Sequence, residues 1–236
     1  MDPILIAVVI FFAIFTQSLT GFGLGLVAMA FLTEPLGVRT AAPLVALVAI
    51  TSEVTLLIRY WHAFQFGAVR RLIVASLVGV PLGVIVLREV SQEATLTFLG
   101  VLLIGYALFA LLTPRLPEIK NPRWAYGFGF VAGLLSGAYN TGGPPYVVYG
   151  TCSRWQPTEF KSNLQGIFIV NTVMTISSHA LSHNYTPMVF QDYLIALPAI
   201  ALGLALGLRV DRYINPAMFR KIVLLLLLLL GVRLIF

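Results

Sequence analysis

Long uncharged stretches dominate the chain. Eight hydrophobic segments lie between the charged positions: residues 3–33, 40–58, 72–87, 94–113, 124–153, 162–191, 193–208 and 217–236. A helix needs about 20 apolar residues to cross a bilayer, and most of these segments approach or exceed that length. The first and fifth are unusually long, and neither carries a charge. The pattern predicts an all-α polytopic membrane protein.

Composition agrees with that class and excludes several others. Hydrophobic residues make up 59% of the 236 and charged residues 10%, against about 25% charged in a soluble domain. These figures exclude a cytosolic enzyme, a nucleic-acid-binding domain and a disulfide-stapled secreted module. The net charge is +6. We expect the basic residues to lie in loops, where they orient the chain in the bilayer. Met1-Asp2-Pro3 lacks the basic start of a signal peptide, so we expect the first segment to stay in the mature fold.

The two halves of the sequence repeat each other. A glycine cluster follows Thr20 in the first segment and Thr141 in the fifth, 121 positions later. The sequence between the fourth and fifth segments is rich in proline and charge and is typical of a linker. We predict one membrane repeat at 1–113, a cytoplasmic linker at 114–123 and a second membrane repeat at 124–236.

The distribution of basic residues predicts that the second repeat is inverted. If all eight segments cross, seven of the 15 basic residues lie inside and eight outside. If segments 3–33 and 124–153 each return to the side they entered, only Arg39, Arg88 and Arg233 lie outside. The positive-inside rule favours the second arrangement. The first segment of each repeat is then a broken or re-entrant helical hairpin, and both termini lie outside. We expect this hairpin to consist of two half-helices. Two full crossings of about 15 residues each would give the same topology, although that length is short for a span.

The glycine clusters are the predicted substrate site. A helix that restarts at mid-membrane has free N–H groups and a partial positive charge at its N-terminus. Such an N-terminus can bind an anion. Close helix–helix packing is the alternative use of such glycines. The candidate binding residues are those of the two clusters and the polar residues near them: Gln17, Thr20, Gly21, Gly23, Gly25, Asn140, Thr141, Gly142, Gly143, Gln165 and Asn171. Arg39 and Lys161 open the following helices and are predicted to attract anions at the two mouths.

Glu53 is an acidic residue inside an apolar segment. Ionisable residues within membrane helices are functional candidates by default. We predict that Glu53 carries a coupling ion, with the choice between a proton and sodium left open; pairing with Arg59 is the structural alternative. The sequence predicts no catalytic residue, metal site or cofactor.

The chain resembles the sulfite exporter TauE/SafE family of membrane permeases. The resemblance rests on the two repeats, on Thr20-Gly-Phe-Gly-Leu-Gly25, and on Gly133-Leu-Leu-Ser-Gly137 leading into Asn140-Thr-Gly-Gly-Pro-Pro145. It implies transport of sulfite, sulfonates or related small anions across the bacterial inner membrane. We therefore expect a secondary transporter that works by alternating access, with a small anion and the lipid bilayer as its partners and no nucleic acid. Flux direction and oligomeric state stay open.

Three alternatives remain at this stage. Ser136 in Leu134-Leu135-Ser136-Gly137, together with His179, allows a rhomboid-like intramembrane serine protease. An anion channel would share the fold without needing coupling. A non-transporting assembly subunit is the third alternative.

Overall fold

The computed structural model describes residues 3–89, 91–112, 116–210, 213 and 216–235. Helices account for most of this described part, and it contains no strand. The ten α-helices found there are α1 (Pro3–Thr20), α2 (Leu24–Leu36), α3 (Val38–Tyr60), α4 (Phe66–Glu89), α5 (Gln92–Leu112), α6 (Trp124–Tyr139), α7 (Gly143–Cys152), α8 (Pro157–Leu181), α9 (Pro187–Val210) and α10 (Pro216–Ile235). A 3-10 turn at Trp61–Ala63 follows α3.

Six of these helices are long and apolar enough to span a membrane. They are α1, α3, α4, α5, α8 and α9, with the span on α3 continuing through the 3-10 turn. Helices repeated through one chain at this length show an integral, multi-pass membrane protein.

Both unusually long segments are broken where the sequence places its glycine clusters. The first break, residues 21–23, separates α1 from α2, and Gly21 and Gly23 have φ of 84° and 102°. The second break, residues 140–142, separates α6 from α7, and Asn140 adopts φ 52° as it caps α6. Positive φ strains most residues but suits glycine and is tolerated by asparagine. Pro144 and Pro145 then stand in the first turn of α7, where a missing N–H costs least.

The two arms of each broken segment differ in length. The first arms, α1 and α6, have 18 and 16 residues, whereas α2 has 13 and α7 has 10. At 1.5 Å per residue, α2 is about 20 Å long and α7 about 15 Å, both short of the roughly 30 Å hydrocarbon core. The first arms are therefore longer than the half-helices we expected, and only the second arms are clearly too short to cross.

Helix packing is reciprocal between the halves. α1, the first helix of one half, packs against α9, and α6, the first helix of the other, packs against α4. Gly79 and Gly83 on α4 let the backbones of α4 and α6 approach closely, and Gly203 and Gly207 do the same for α9 against α1. α3 also packs against α8, and α5 against α10.

The end of α7 lies beside the segment that precedes α6. The Ile119 N–H donates to the Cys152 carbonyl at 2.9 Å, and Arg154 Nη2 donates to the Leu116 carbonyl at 3.0 Å. The C-terminal end of α7 is therefore in contact with the segment that leads into α6. Residues 113–115, where we predicted the boundary between the first repeat and the linker, lie outside the described residues.

Candidate substrate site

The two breaks meet at the centre of the molecule. A Cβ added to Gly25 would stand 1.7 Å from the Asn140 carbonyl oxygen, so the two backbones are in contact there. A Cβ added to Gly143 would stand 3.6 Å from Phe22 Cδ2, so the start of α7 lies beside the side chain of the first break. Asn140 Nδ2 donates to the Ala42 carbonyl at 2.8 Å and ties the second break to the start of α3. The chain thus brings both predicted glycine clusters to one place.

A central cavity of about 40 Å³ lies between these breaks. A buried water molecule needs roughly 10–15 Å³ of such cavity volume, so this cavity has room for about three water molecules. Its lining comes from both halves of the chain: Gln17, Gly23, Leu24, Gly25, Leu26, Ala49, Glu53, Ser136, Asn140, Thr141, Gly142, Gly143, Phe168, Asn171, Thr172 and Thr175.

The N-terminus of α2 supplies most of the backbone donors in this lining. Helix geometry leaves the N–H groups of Leu24, Gly25 and Leu26 without an acceptor inside the helix, and all three residues line the central cavity. α7 offers fewer donors, because two of its first three residues, Pro144 and Pro145, carry no N–H. Both helix ends bring a partial positive charge to the cavity.

Three buried side-chain oxygens in the lining have no hydrogen-bond partner within the described part of the chain: Glu53 Oε2, Thr141 Oγ1 and Thr175 Oγ1. Their residues are 5%, 1% and 1% exposed. Unpartnered buried polar atoms are rare in folded proteins and need an explanation. The other carboxylate oxygen, Glu53 Oε1, accepts from Thr172 Oγ1 at 3.1 Å. Glu53 is therefore bonded to Thr172 and not to Arg59, and it faces the cavity.

Two buried amides hold the surrounding helices in register. Asn171 on α8 accepts from Ser76 Oγ at 2.6 Å and donates to the Tyr146 hydroxyl at 2.6 Å, so it joins α4, α7 and α8. Gln17 on α1 donates to Gln165 Oε1 at 3.1 Å and accepts from Ser52 Oγ at 3.2 Å. These bonds fix the amides that face the central cavity.

A second space, which we call the vestibule, lies beside the first break. It measures about 450 Å³, and its lining includes Thr20, Phe22, Tyr60 and Lys161. Lys161 is half-buried, and its Nζ stands 5.5 Å from the centre of the Tyr60 ring, which is a cation–π distance.

Most of the predicted site residues line one of these two spaces. Nine line the central cavity: Gln17, Gly23, Gly25, Glu53, Asn140, Thr141, Gly142, Gly143 and Asn171. Thr20 and Lys161 line the vestibule, and Gly21 packs against Lys161. Gln165 lies between the spaces, because it accepts from Gln17 and donates to the Gly21 carbonyl at 2.7 Å. Arg39 is exposed near the start of α3, away from both.

The glycines of the second break have different roles. A Cβ on Gly142 would collide with α6, 2.0 Å from Ser136 Oγ and 2.4 Å from the Ala132 carbonyl oxygen. Gly142 is therefore needed for packing as well as for the cavity wall. A Cβ on Gly143 would meet only side chains, at ordinary contact distances of 3.6 Å or more. Gly143 is the position where the cavity can be narrowed without moving a backbone.

Sequence reasoning missed three polar or aromatic residues of the lining: Phe168, Thr172 and Thr175. Ser136 also lines the cavity, although the sequence suggested it only as a protease nucleophile. Asn171 and Thr175 are four residues apart on α8, so they share one helix face. That spacing was the available signal for Thr175.

The geometry does not assemble the protease dyad. Ser136 Oγ accepts from Asn171 Nδ2 at 3.4 Å. His179 lies eight residues beyond Asn171 on α8, about 12 Å along the helix, and its Nδ1 is paired with Asn184 Nδ2 at 2.9 Å.

Known proteins match the chain over almost its whole length. Residues 6–234 match the family described as Sulfite exporter TauE/SafE. A relative from Cupriavidus necator, named "Probable sulfite/organosulfonate exporter TauE", is 28% identical over 213 residues, which cover 87% of this chain and 83% of the relative. No solved structure matches. The match across both breaks and both halves shows that this chain belongs to the sulfite exporter TauE/SafE family.

Proposed function

We propose that the protein is a secondary transporter that moves sulfite or a small sulfonate across the bacterial inner membrane, with the anion held in the central cavity. The observation that carries the proposal is the pairing of two helix N-termini with unpartnered buried hydroxyls at Thr141 and Thr175. Hydroxyls and backbone N–H groups donate to oxyanion oxygens. A small anion would satisfy groups that otherwise stay buried without partners.

The size of the central cavity favours the smaller members of this substrate class. Space for about three waters suits the four non-hydrogen atoms of sulfite. A sulfonate with a long organic group would need the cavity to open. The family and its named relative point to the same class of substrate.

The vestibule is the proposed route to the site from the cytoplasm. Lys161 places a positive charge in its wall, and such a charge raises the local concentration of anions. The chain of hydrogen bonds from Gln17 through Gln165 to Gly21 lies between the vestibule and the central cavity. We propose that these residues form the inner gate. Arg39, exposed at the other end of the fold, would serve the outer mouth.

Alternating access in two inverted repeats, 1–113 and 124–236, is part of the proposal. The reciprocal packing of α1 on α9 and α6 on α4 supports the repeat. The hydrogen bonds from the linker to the end of α7 support a re-entrant α6–α7 pair. Paired interrupted helices of this kind mark the binding sites of inverted-repeat transporters. Both termini would then lie in the periplasm and the linker in the cytoplasm.

Flux in proteoliposomes tests this function. We expect saturable uptake of radiolabelled sulfite by the purified protein. Gly143→Ala should inhibit this uptake strongly, because it adds a Cβ to a residue of the cavity lining, 3.9 Å from Phe168 of the same lining and with no backbone clash. The matched control is Gly105→Ala on α5, where an added Cβ has no neighbour within 4 Å. One methylene group more or less in a tight binding pocket changes kcat/KM by roughly 10- to 200-fold in enzymes, and we expect a comparable loss of sulfite flux here. Equal sulfite flux in the two variants would remove the central cavity as the substrate site.

A further inference from the structure

Glu53 places a carboxylate in the wall of a cavity that otherwise suits an anion. The side chain is 5% exposed, and Oε1 accepts from Thr172 while Oε2 has no partner in the described residues. Its position is hard to reconcile with an anion site if the carboxylate is charged. This conflict is informative, because a buried charge without a counter-ion is strongly unfavourable.

Glu53 is the one titratable residue in the lining of the central cavity, all of which lies in the described residues. Other ionisable groups on α3 and on the elements that pack against it lie outside this lining: Glu34, Arg39, Arg59, Tyr60, His62, Tyr126, Tyr139, Glu159, Lys161, His179, Asp192, Tyr193 and Arg209. Glu34, the acidic residue of α2, is bound to Arg233 at 2.7 Å. The charge state of the central cavity therefore depends on Glu53.

A negative Glu53 and a bound anion would repel each other strongly. Two unit charges about 4 Å apart, at the effective dielectric of protein sites, lower affinity by about a thousandfold. A proton on Oε2 removes this repulsion. It also converts Glu53 from an acceptor into a donor, and the new O–H can bond to an oxygen of the anion.

We infer that Glu53 binds the coupling proton and that proton and anion occupy the central cavity together, so that transport is proton–anion symport. This inference rests on the proposed function, because it requires the anion in that cavity. The proton comes from bulk water, binds Oε2 with the anion, and returns to water on the other side. A sulfite dianion that moves with one proton still carries one negative charge, and an inside-negative membrane potential drives that charge outward.

Sodium fits the same place less well. A sodium ion would need several oxygen ligands around Glu53 Oε2 while the anion occupied the remaining space. The central cavity has room for about three waters, which is the space of a small oxyanion alone. A proton takes no such room.

Equilibrium binding across pH separates these cases. The probe is methanesulfonate, because it stays fully ionised between pH 5 and pH 9 and adds no titration of its own. In sodium-free buffer, we expect the wild-type affinity for methanesulfonate to fall tenfold or more as pH rises through this range. Glu53→Gln keeps a neutral side chain of the same shape, and its affinity should be independent of pH. Glu53→Asp retains a titratable carboxyl, and we expect it to retain the pH dependence.

Glu34→Gln is the matched control, since it removes a carboxylate outside the central cavity and should leave the pH profile unchanged. Proton movement gives the second readout: a methanesulfonate gradient should drive protons into liposomes that hold wild-type protein, and Glu53→Gln should lose this movement.

Different results would overturn the proposed anion site and the symport inference. If neither methanesulfonate nor sulfite binds to wild-type protein at any pH, the proposed anion site is wrong and the symport inference falls with it. Binding that is independent of pH in wild-type protein, or that requires sodium, overturns the symport inference alone. A pH dependence that persists in Glu53→Gln also overturns it, because another group would then carry the proton.

Discussion

α2 and α7 each follow a glycine-rich break, yet their surroundings differ. α2 packs against α5 and α10. Between α7 and α5 there is instead an apolar groove of about 600 Å³, with Tyr106 and Phe109 on one side and Pro144 and Val148 on the other. The donor groups differ as well, because α2 turns three N–H groups to the central cavity whereas the prolines of α7 remove two.

α2 and α7 therefore hold corresponding places along the chain but have different surroundings in the fold. Exact two-fold packing would place α5 and α10 equally on α2 and α7. Instead, α5 and α10 both pack against α2. If α2 and α7 exchanged surroundings, α5 and α10 would pack against α7 and fill the apolar groove. The alternating access that we propose would use two such arrangements.

The largest expected effect comes from closing the contact between the breaks. Gly25→Ala would place a Cβ 1.7 Å from the Asn140 carbonyl oxygen, so one of the two backbones must move. We expect a loss of about 3 kcal/mol or more in the free energy of unfolding and no transport. Thermal unfolding in detergent measures this loss. Gly105→Ala on α5 should unfold like wild type, and a stable Gly25→Ala protein would show that the breaks do not touch.

Locking α5 to α7 should stop transport reversibly. Phe109→Cys and Val148→Cys face the same groove from opposite sides, and Cys152, which is buried, would be replaced by serine. During turnover, the two cysteines should be joined by a disulfide or by a short bifunctional maleimide. Either cross-link should reduce sulfite flux by about tenfold or more, because the protein can then adopt only one of its two states. Reductant should restore flux after disulfide formation. Unchanged flux in a fully cross-linked protein argues against movement of α5 relative to α7.

The basic residues at the two mouths should differ in their effect on rate. Lys161 lies in the vestibule wall and is half-buried, whereas Arg39 is exposed. We expect Lys161→Gln to lower the initial rate of sulfite uptake severalfold at low salt and to weaken its salt dependence, since steering by charge is screened by salt. Arg39→Gln should have the smaller effect on uptake from the vestibule side. The reverse order would assign entry to the other mouth.

The smallest expected effect is an increase in affinity. Pro145→Ala restores an N–H in the first turn of α7 and makes its N-terminus more like that of α2. One added hydrogen bond to the anion contributes about 1 kcal/mol, so sulfite should bind roughly fivefold more tightly. Calorimetry on the detergent-solubilised protein measures this. Gly127→Ala, on the open side of α6 with no atom near its Cβ, should leave the affinity unchanged.

Much of the fold could be predicted from the sequence. Uncharged runs located the helices because lipid excludes charge, and glycine and proline located both breaks because only certain residues adopt the required backbone angles. The prediction that each broken segment forms two half-helices was less accurate, since α1 has 18 residues and α2 has 13. Where a helix ends depends on its packing against α9 and α4, which no local pattern reports.

The site was harder to predict than the breaks. A glycine cluster shows where backbones bend or approach, but not which face meets a cavity. Gly21 turns toward Lys161 while Gly23 faces the central cavity, although two positions separate them. Thr172 and Thr175 were missed because a threonine in a membrane helix usually bonds to its own backbone. Only the pairing of α8 with α3 brings Thr172 to Glu53.

The central claim is that the anion lies between the N-termini of α2 and α7. Anomalous diffraction from crystals soaked with selenite, a heavier analogue of sulfite, tests it directly. We predict a selenium peak between the two breaks, placed so that the selenite oxygens accept from the Gly143 N–H and the Thr175 hydroxyl, and loss of that peak in Gly143→Ala. A peak confined to the vestibule beside Lys161, with none between the two breaks, would contradict the account.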